Sequence, residues 1–199
     1  MCWQCDHPEA TFLDYIAHVR GLIETFGWMV QGVQRSRYRP PYAYTVGLTS
    51  HDRPELAVTG LPLDSAMDLL NMCAAHLLHA AVPKPGEVIP LIRGPVIETV
   101  QVAEPMAHVP VAVHLFGPQI QVLQLVYADD RGHWPWDVGF RGGRGGQPVL
   151  GPAPRRLPSP LRRRAQPLTA ADRAATAGRS GLRRYTGHVL QRPRRWPVY

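Results

Sequence analysis

The chain runs to 199 residues with 45% hydrophobic side chains, five Trp and only three Cys, which excludes a disulfide scaffold and a wholly disordered chain. Its charge is unevenly placed: residues 1–150 carry 10 basic and 14 acidic groups, a balance of −4, whereas residues 151–199 carry 12 Arg and one acid, Asp172, a balance of +11. One domain over residues 1–150 and a basic tail over residues 151–199 are therefore expected, and the attraction to polyanions implied by a net charge of +7 attaches to the tail alone.

The chain opens Met1-Cys2-Trp3-Gln4-Cys5-Asp6-His7, without the basic and apolar regions of an export signal. No apolar run approaches the roughly 18 residues of a spanning helix, so no membrane partner is expected and a cytoplasmic location is. Thr11 with Asp14 reads as the cap of an amphipathic helix over Phe12, Tyr15, Ile16, Val19, Leu22, Ile23 and Phe26, stopping at Gly27. Trp28 to Val33 reads as a strand, Arg35 to Pro41 as an exposed loop, and Tyr42 to Leu48 and Glu55 to Thr59 as two more strands. A second helix is expected from Leu63 to Ala80, with Ala66, Met67, Leu70, Cys73, Ala74, Leu77 and Leu78 as its buried stripe.

Beyond Pro83, Val88 to Ile92, Val96 to Val102, Val109 to Leu115 and Ile120 to Tyr127 are short β-branched runs separated by turn residues. The class is accordingly α+β, with a single mixed or antiparallel sheet and two main helices. From Gly139 the composition shifts to Gly, Arg and Pro, and Pro152 to Tyr199 lacks the apolar periodicity needed to offset chain entropy. A disordered Arg/Pro-rich tail is expected there.

Several runs resemble an uncharacterised bacterial family, the domain of unknown function 4262, common in actinobacteria. The matching strings are Met1 to Pro8, Ala43-Tyr44-Thr45-Val46-Gly47-Leu48, Pro54-Glu55-Leu56, Thr59-Gly60-Leu61-Pro62, and Leu123-Gln124-Leu125-Val126 through Trp134-Pro135-Trp136-Asp137, with Gly139 to Pro148 similar to the usual end of its members. The resemblance spans residues 1–150 and implies no established activity.

Cys2, Cys5 and His7 form the sharpest local motif, because two thiolates at this spacing and an imidazole can wrap one zinc ion. A fourth ligand would come from His51, Cys73, His76 or His133. The same cysteines admit a thiol-dependent enzyme, either a redox pair or an N-terminal nucleophile at Cys2, although Asp6 and Glu9 beside them raise a thiol pKa. Tyr44, Thr45, His51 and Glu55 bring a phenol, a hydroxyl, an imidazole and a carboxylate to adjacent strand ends, where they could do acid/base work or simply pack a buried strand. Asp129-Asp130-Arg131-Gly132 reads as a hairpin loop with Trp134 and Trp136 as a lid on the core, and the alternative is a ligand pocket walled by the two indoles with His133 or Asp137 as its polar contact. Arg141-Gly142-Gly143-Arg144-Gly145-Gly146 resembles the Arg-Gly-Gly segments of RNA-binding proteins, and with the tail makes residues 141–199 a candidate for non-specific nucleic-acid association. The expectation is a module binding a small molecule or a protein, with a possible zinc site; a thiol enzyme and a nucleic-acid binder are its alternatives.

Overall fold

The computed structural model describes residues 3–89 and 95–153, with the backbone alone at Gln4 and Cys5. A short helix, α1 (Trp3–Asp6), precedes α2 (Phe12–Phe26). The Thr11 hydroxyl accepts from the Asp14 amide and the Asp14 carboxylate accepts from the Thr11 amide at 2.8 Å, so the cap is reciprocal. Gly27, at φ 87°, ends α2 by donating its N–H to the Ile23 carbonyl.

Six strands follow: β1 (Met29–Val33), β2 (Tyr42–Val46), β3 (Glu55–Thr59), β4 (Val88–Ile89), β5 (Ile97–Gln101) and β6 (Val122–Tyr127). They form one sheet in the order β1-β2-β3-β6-β5-β4, with β3 and β6 parallel and the other neighbours antiparallel. The sheet is therefore mixed, because the chain leaves β3 through α3 (Leu63–Leu77), forms the far edge first, and returns to insert β6 beside β3. A parallel neighbour requires such a crossover. Helix α3 packs on β1, β2 and β3. The opposite face carries α2 and α5 (Pro110–Phe116) over a core containing Tyr15, Val19, Tyr44, Val46, Val113 and Val122.

Two sequence expectations are corrected. Val109 to Leu115 is helical: α4 (Pro105–His108) and α5 each begin with a proline, which has no N–H to give a strand ladder but loses nothing at the first position of a helix. Val109, Ala112 and Val113 then form a buried stripe at helical spacing. Asp129 to Gly132 does not join two strands, since β6 is the last strand among the described residues and the chain turns back over the sheet instead. The ends of several elements also move. Strand β2 stops at Val46 because Gly47 at φ 124° turns the chain into a short 3-10 helix (Leu48–His51). Of Val88 to Ile92, Val88–Ile89 is strand and the remainder lies outside the described residues, as does the tail beyond residue 153.

The glycine-rich run after Phe140 belongs to the fold. Gln147 pairs its side-chain amide with both backbone groups of Tyr127 at 3.0 Å, extending the pattern of a strand ladder by one residue. The Pro148 carbonyl accepts from Thr59 Oγ1 and from Gln124 Nε2, both at 2.7 Å, and the Leu150 amide donates to Gln124 Oε1 at 2.7 Å. Gln124 is wholly buried at the centre of β6, so its amide is the polar rivet that binds this segment to the sheet.

Candidate functional site

Glu55 begins β3 with no exposed surface. Its Oε2 accepts from the Thr45 hydroxyl at 2.6 Å, and its Oε1 accepts from the amides of Gly47 and Thr49 and the Thr49 hydroxyl at 2.9, 3.0 and 2.9 Å. Burial raises the pKa of this carboxyl, and the bonds from Thr45, Thr49 and Gly47 oppose the rise without cancelling it. Thr45 Oγ1 in turn accepts from the Leu56 amide at 2.8 Å. These bonds fasten the end of β2 and the turn after it onto β3. Tyr44 lies on the other face of β2, since successive strand residues alternate, and its phenol is buried in the α2–α5 core, where burial pushes its pKa upward. His51 is exposed, with Nε2 3.2 Å from the Gly27 carbonyl. Of the four candidate acid/base residues, the fold joins Thr45 to Glu55 and sends Tyr44 and His51 elsewhere.

In the second candidate set, the indoles of Trp134 and Trp136 stack with centroids 5.5 Å apart and planes at 8°. Trp134 is buried on Val100, Val126 and Ala128, and Trp136 packs partly buried against the same group. The Asp137 carboxylate accepts from the Trp134 amide at 2.9 Å and closes the turn between them. The centre of this region is a residue that the sequence reading treated only as a turn former. Asp129 accepts from the amides of Arg131, His133 and Arg141 at 2.9, 2.8 and 2.8 Å, and its Oδ2 lies 3.4 Å from His133 Nδ1. Burial alone would raise its pKa, but those three N–H bonds outweigh it and pull the carboxyl down to about 2. Arg141, the first arginine of the Arg-Gly-Gly run, is likewise engaged, donating to the Tyr127 hydroxyl at 2.7 Å.

Near the N-terminus, the Trp3 indole stacks on His7 at 4.5 Å and on His18 at 4.9 Å. His7 Nδ1 lies 2.9 Å from the Trp3 carbonyl, an oxygen that can only accept, so Nδ1 carries a proton and Nε2 is the nitrogen that offers a lone pair when the ring is neutral. Cys2 and the Cys5 side chain lie outside the described residues. Among the described residues no three His, Cys, Asp or Glu side chains are gathered to hold a metal.

The feature with the shape of a ligand site was not anticipated. Helix α3 ends over β3, and between its last turns, the sheet and the β4 edge opens a cleft of about 290 Å³, walled by Leu56, Leu77 and Leu125. His76 and Glu87 supply its polar groups, and Cys73 lies among its walls. Burial pushes the Cys73 thiol up to about 11, so at neutral pH it is a small apolar wall residue and not a nucleophile. The sequence signal for this cleft was Cys73 and His76 on one helical face; what they would face depended on where β4 and β6 pair.

The sequence pattern described as Domain of unknown function (DUF4262) matches residues 22–141, more than half of the chain. The chain belongs to the DUF4262 family. The DUF4262 match starts inside α2 and ends at Arg141, and so takes in the six strands, α3, the cleft, Glu55 and Asp129. Cys2, Cys5 and His7 precede it, and the Gln147 to Leu150 anchor follows it. No curated protein and no solved structure matches the chain. Among the described residues no helix is long and apolar enough to cross a membrane.

Proposed function

We propose that this domain is a cytoplasmic ligand-binding module whose ligand is a small, largely apolar molecule held in the cleft between α3 and the β4 edge. The observation that carries this reading is the cleft itself, about 290 Å³ of leucine-walled space with His76 and Glu87 at its polar positions. Apolar walls with a few convergent polar groups are what bind and orient a small molecule. The other polar clusters support it by contrast, because the Glu55 and Asp129 carboxylates are occupied by backbone and hydroxyl donors. Screening apolar fragments against the full chain by thermal shift tests the reading. Hits should lose their effect in Met72→Trp, which fills the rim of the cleft from an exposed position, and retain it in Met106→Trp, exposed elsewhere. A screen without hits, or hits indifferent to Met72→Trp, overturns it.

A second reading is favoured by the orientation of His7. With Nδ1 held by the Trp3 carbonyl, Nε2 has the form of a zinc ligand whose other nitrogen is fixed by a second hydrogen bond, and Cys2 and Cys5 would supply two thiolates. Elemental analysis of the untagged chain should then find about one zinc, lost in Cys5→Ser. Two reactive thiols without metal would favour thiol chemistry at Cys2 and Cys5 instead.

A further inference from the structure

Half of the ten basic side chains in residues 1–150 fall in two short segments, Arg35, Arg37 and Arg39 in the β1–β2 loop and Arg141 and Arg144 in the glycine-rich run. The fold brings these segments together. Gly60, at the end of β3, donates its N–H to the Pro41 carbonyl on one side and meets the backbone of Gly146 on the other, so the β1–β2 loop and the glycine-rich run flank the same strand end. Between them lies an open cleft of about 420 Å³, lined by Arg35, Arg37, Tyr38, Arg39, Gly146 and Gln147.

The arginines are presented by a turn that is itself bonded. The Ser36 amide donates to the Arg39 carbonyl at 3.0 Å, and the Ser36 hydroxyl accepts from the amides of Tyr38 and Arg39 at 3.3 and 3.1 Å. Tyr38 stands 85% exposed, with the Arg37 guanidinium 5.8 Å from its ring centroid. Behind the cleft, the half-buried Arg141 would have its Nη1 within 3.2 Å of a Cβ at Gly146, adding a fixed positive charge below the floor. Among the described residues no carboxylate lies within ion-pair distance of Arg35, Arg37, Arg39 or Arg141. Arg39 is turned to the Tyr42 phenol and Arg141 to the Tyr127 hydroxyl, which leaves Arg35 and Arg37 as exposed positive charges at the cleft on a domain whose first 150 residues are net acidic.

We infer that this cleft binds the phosphate group of a small phosphorylated molecule, with Arg35 and Arg37 as its ligands and the Tyr38 ring as a flat surface for the group that the phosphate carries. Guanidinium forks match phosphate oxygens in pairs, and an exposed aromatic beside them stacks on a planar substituent. The size and concavity of the cleft favour a small molecule over a polynucleotide, which needs an extended basic track. The site is separate from the apolar cleft and does not depend on it.

Calorimetric titration of the full chain at about 0.15 M salt, where surface charges are screened beyond about 8 Å, tests this with inorganic phosphate and adenosine monophosphate as probes. A single saturable site per chain is expected, weakened roughly tenfold or more in Arg37→Gln and in Arg35→Gln, since each removes a charge-assisted bond. Arg20→Gln, on an exposed position of α2, should bind as the native chain does, and all variants retain the basic tail as a common background. The inference fails if neither probe saturates, or if the loop variants bind as well as the native chain. It also fails if only a single-stranded oligonucleotide binds and added salt removes it, which would assign the loop to unspecific polyanion adhesion.

Discussion

A Cβ placed on Gly60 would stand 2.1 Å from the carbonyl oxygen of Gly146, closer than any side-chain carbon can approach. Gly60 also holds φ 73°, so two independent constraints keep this position a glycine. Through this contact the end of β3 receives the glycine-rich run, and the Gln147 and Pro148 bonds to Tyr127, Thr59 and Gln124 follow from it. Gly60→Ala should cost about 2 kcal/mol or more in chemical denaturation. Gly21→Ala, in the exposed interior of α2 with no atom within 4 Å of the new Cβ, should stabilise by about 0.5–1 kcal/mol. Equal effects of the two substitutions would refute the contact.

Glu55→Ala leaves the Gly47 and Thr49 amides and the Thr45 hydroxyl without their acceptor, and should destabilise by about 3 kcal/mol. The pH dependence has a definite sign. The folded chain holds the Glu55 proton more tightly than the unfolded chain, so this contribution to stability is full below the ordinary carboxylate pKa of 4.5 and declines as pH rises above it. The stability difference between native and Glu55→Gln chains, followed from pH 4 upward, should therefore shrink or reverse in favour of the neutral amide. A difference that is flat with pH would show the carboxyl titrating as an exposed one.

Asp129 carries the opposite sign. Its pKa is held at about 2 in the folded chain against 3.8 ordinarily, so its contribution is present above 3.8 and is lost as pH falls from there toward 2. Asp129→Asn should remove that part of the acid limb and, by weakening the grip on the amides of Arg131, His133 and Arg141, expose the loop to proteolysis at neutral pH. Unchanged acid unfolding in the variant would count against this role.

At neutral pH a thiol with a pKa of about 11 holds roughly 100-fold less thiolate than one at the ordinary 9.0. Iodoacetamide should therefore label Cys73 far more slowly than it labels unfolded chain, and peptide mapping distinguishes it from Cys2 and Cys5. Labelling that is further slowed by a fragment hit would place that fragment beside Cys73 in the apolar cleft. Rapid labelling of Cys73 in the folded chain would contradict its burial.

Local chemistry set much of this fold. The Thr11–Asp14 cap, the Gly27 stop, the apolar stripe of α3 and the positions of β1, β2 and β3 were legible because each depends on residues within a turn or two of one another. Pro110–Phe116 is helical against its β-branched composition because the proline at its first position suits a helix start and cannot donate to a strand ladder. What only the tertiary structure decided was assembly at long separation. Nothing local brings Gln124 to Thr59 and Leu150, Arg35 to Gly146, or Leu125 to Cys73, because those meetings depend on β6 inserting beside β3 after a crossover of some sixty residues. The same insertion turned Glu55 and Asp129, which as residues suggested acid/base chemistry and a hairpin, into acceptors for backbone amides, and left the cleft beside α3 and the arginine-lined cleft beside Gly146 as places where a ligand can enter. Side-chain chemistry is written in the sequence, but whether a buried group meets a ligand or its own backbone is fixed by which strands pair, since a buried polar atom must take whatever partner the fold brings to it.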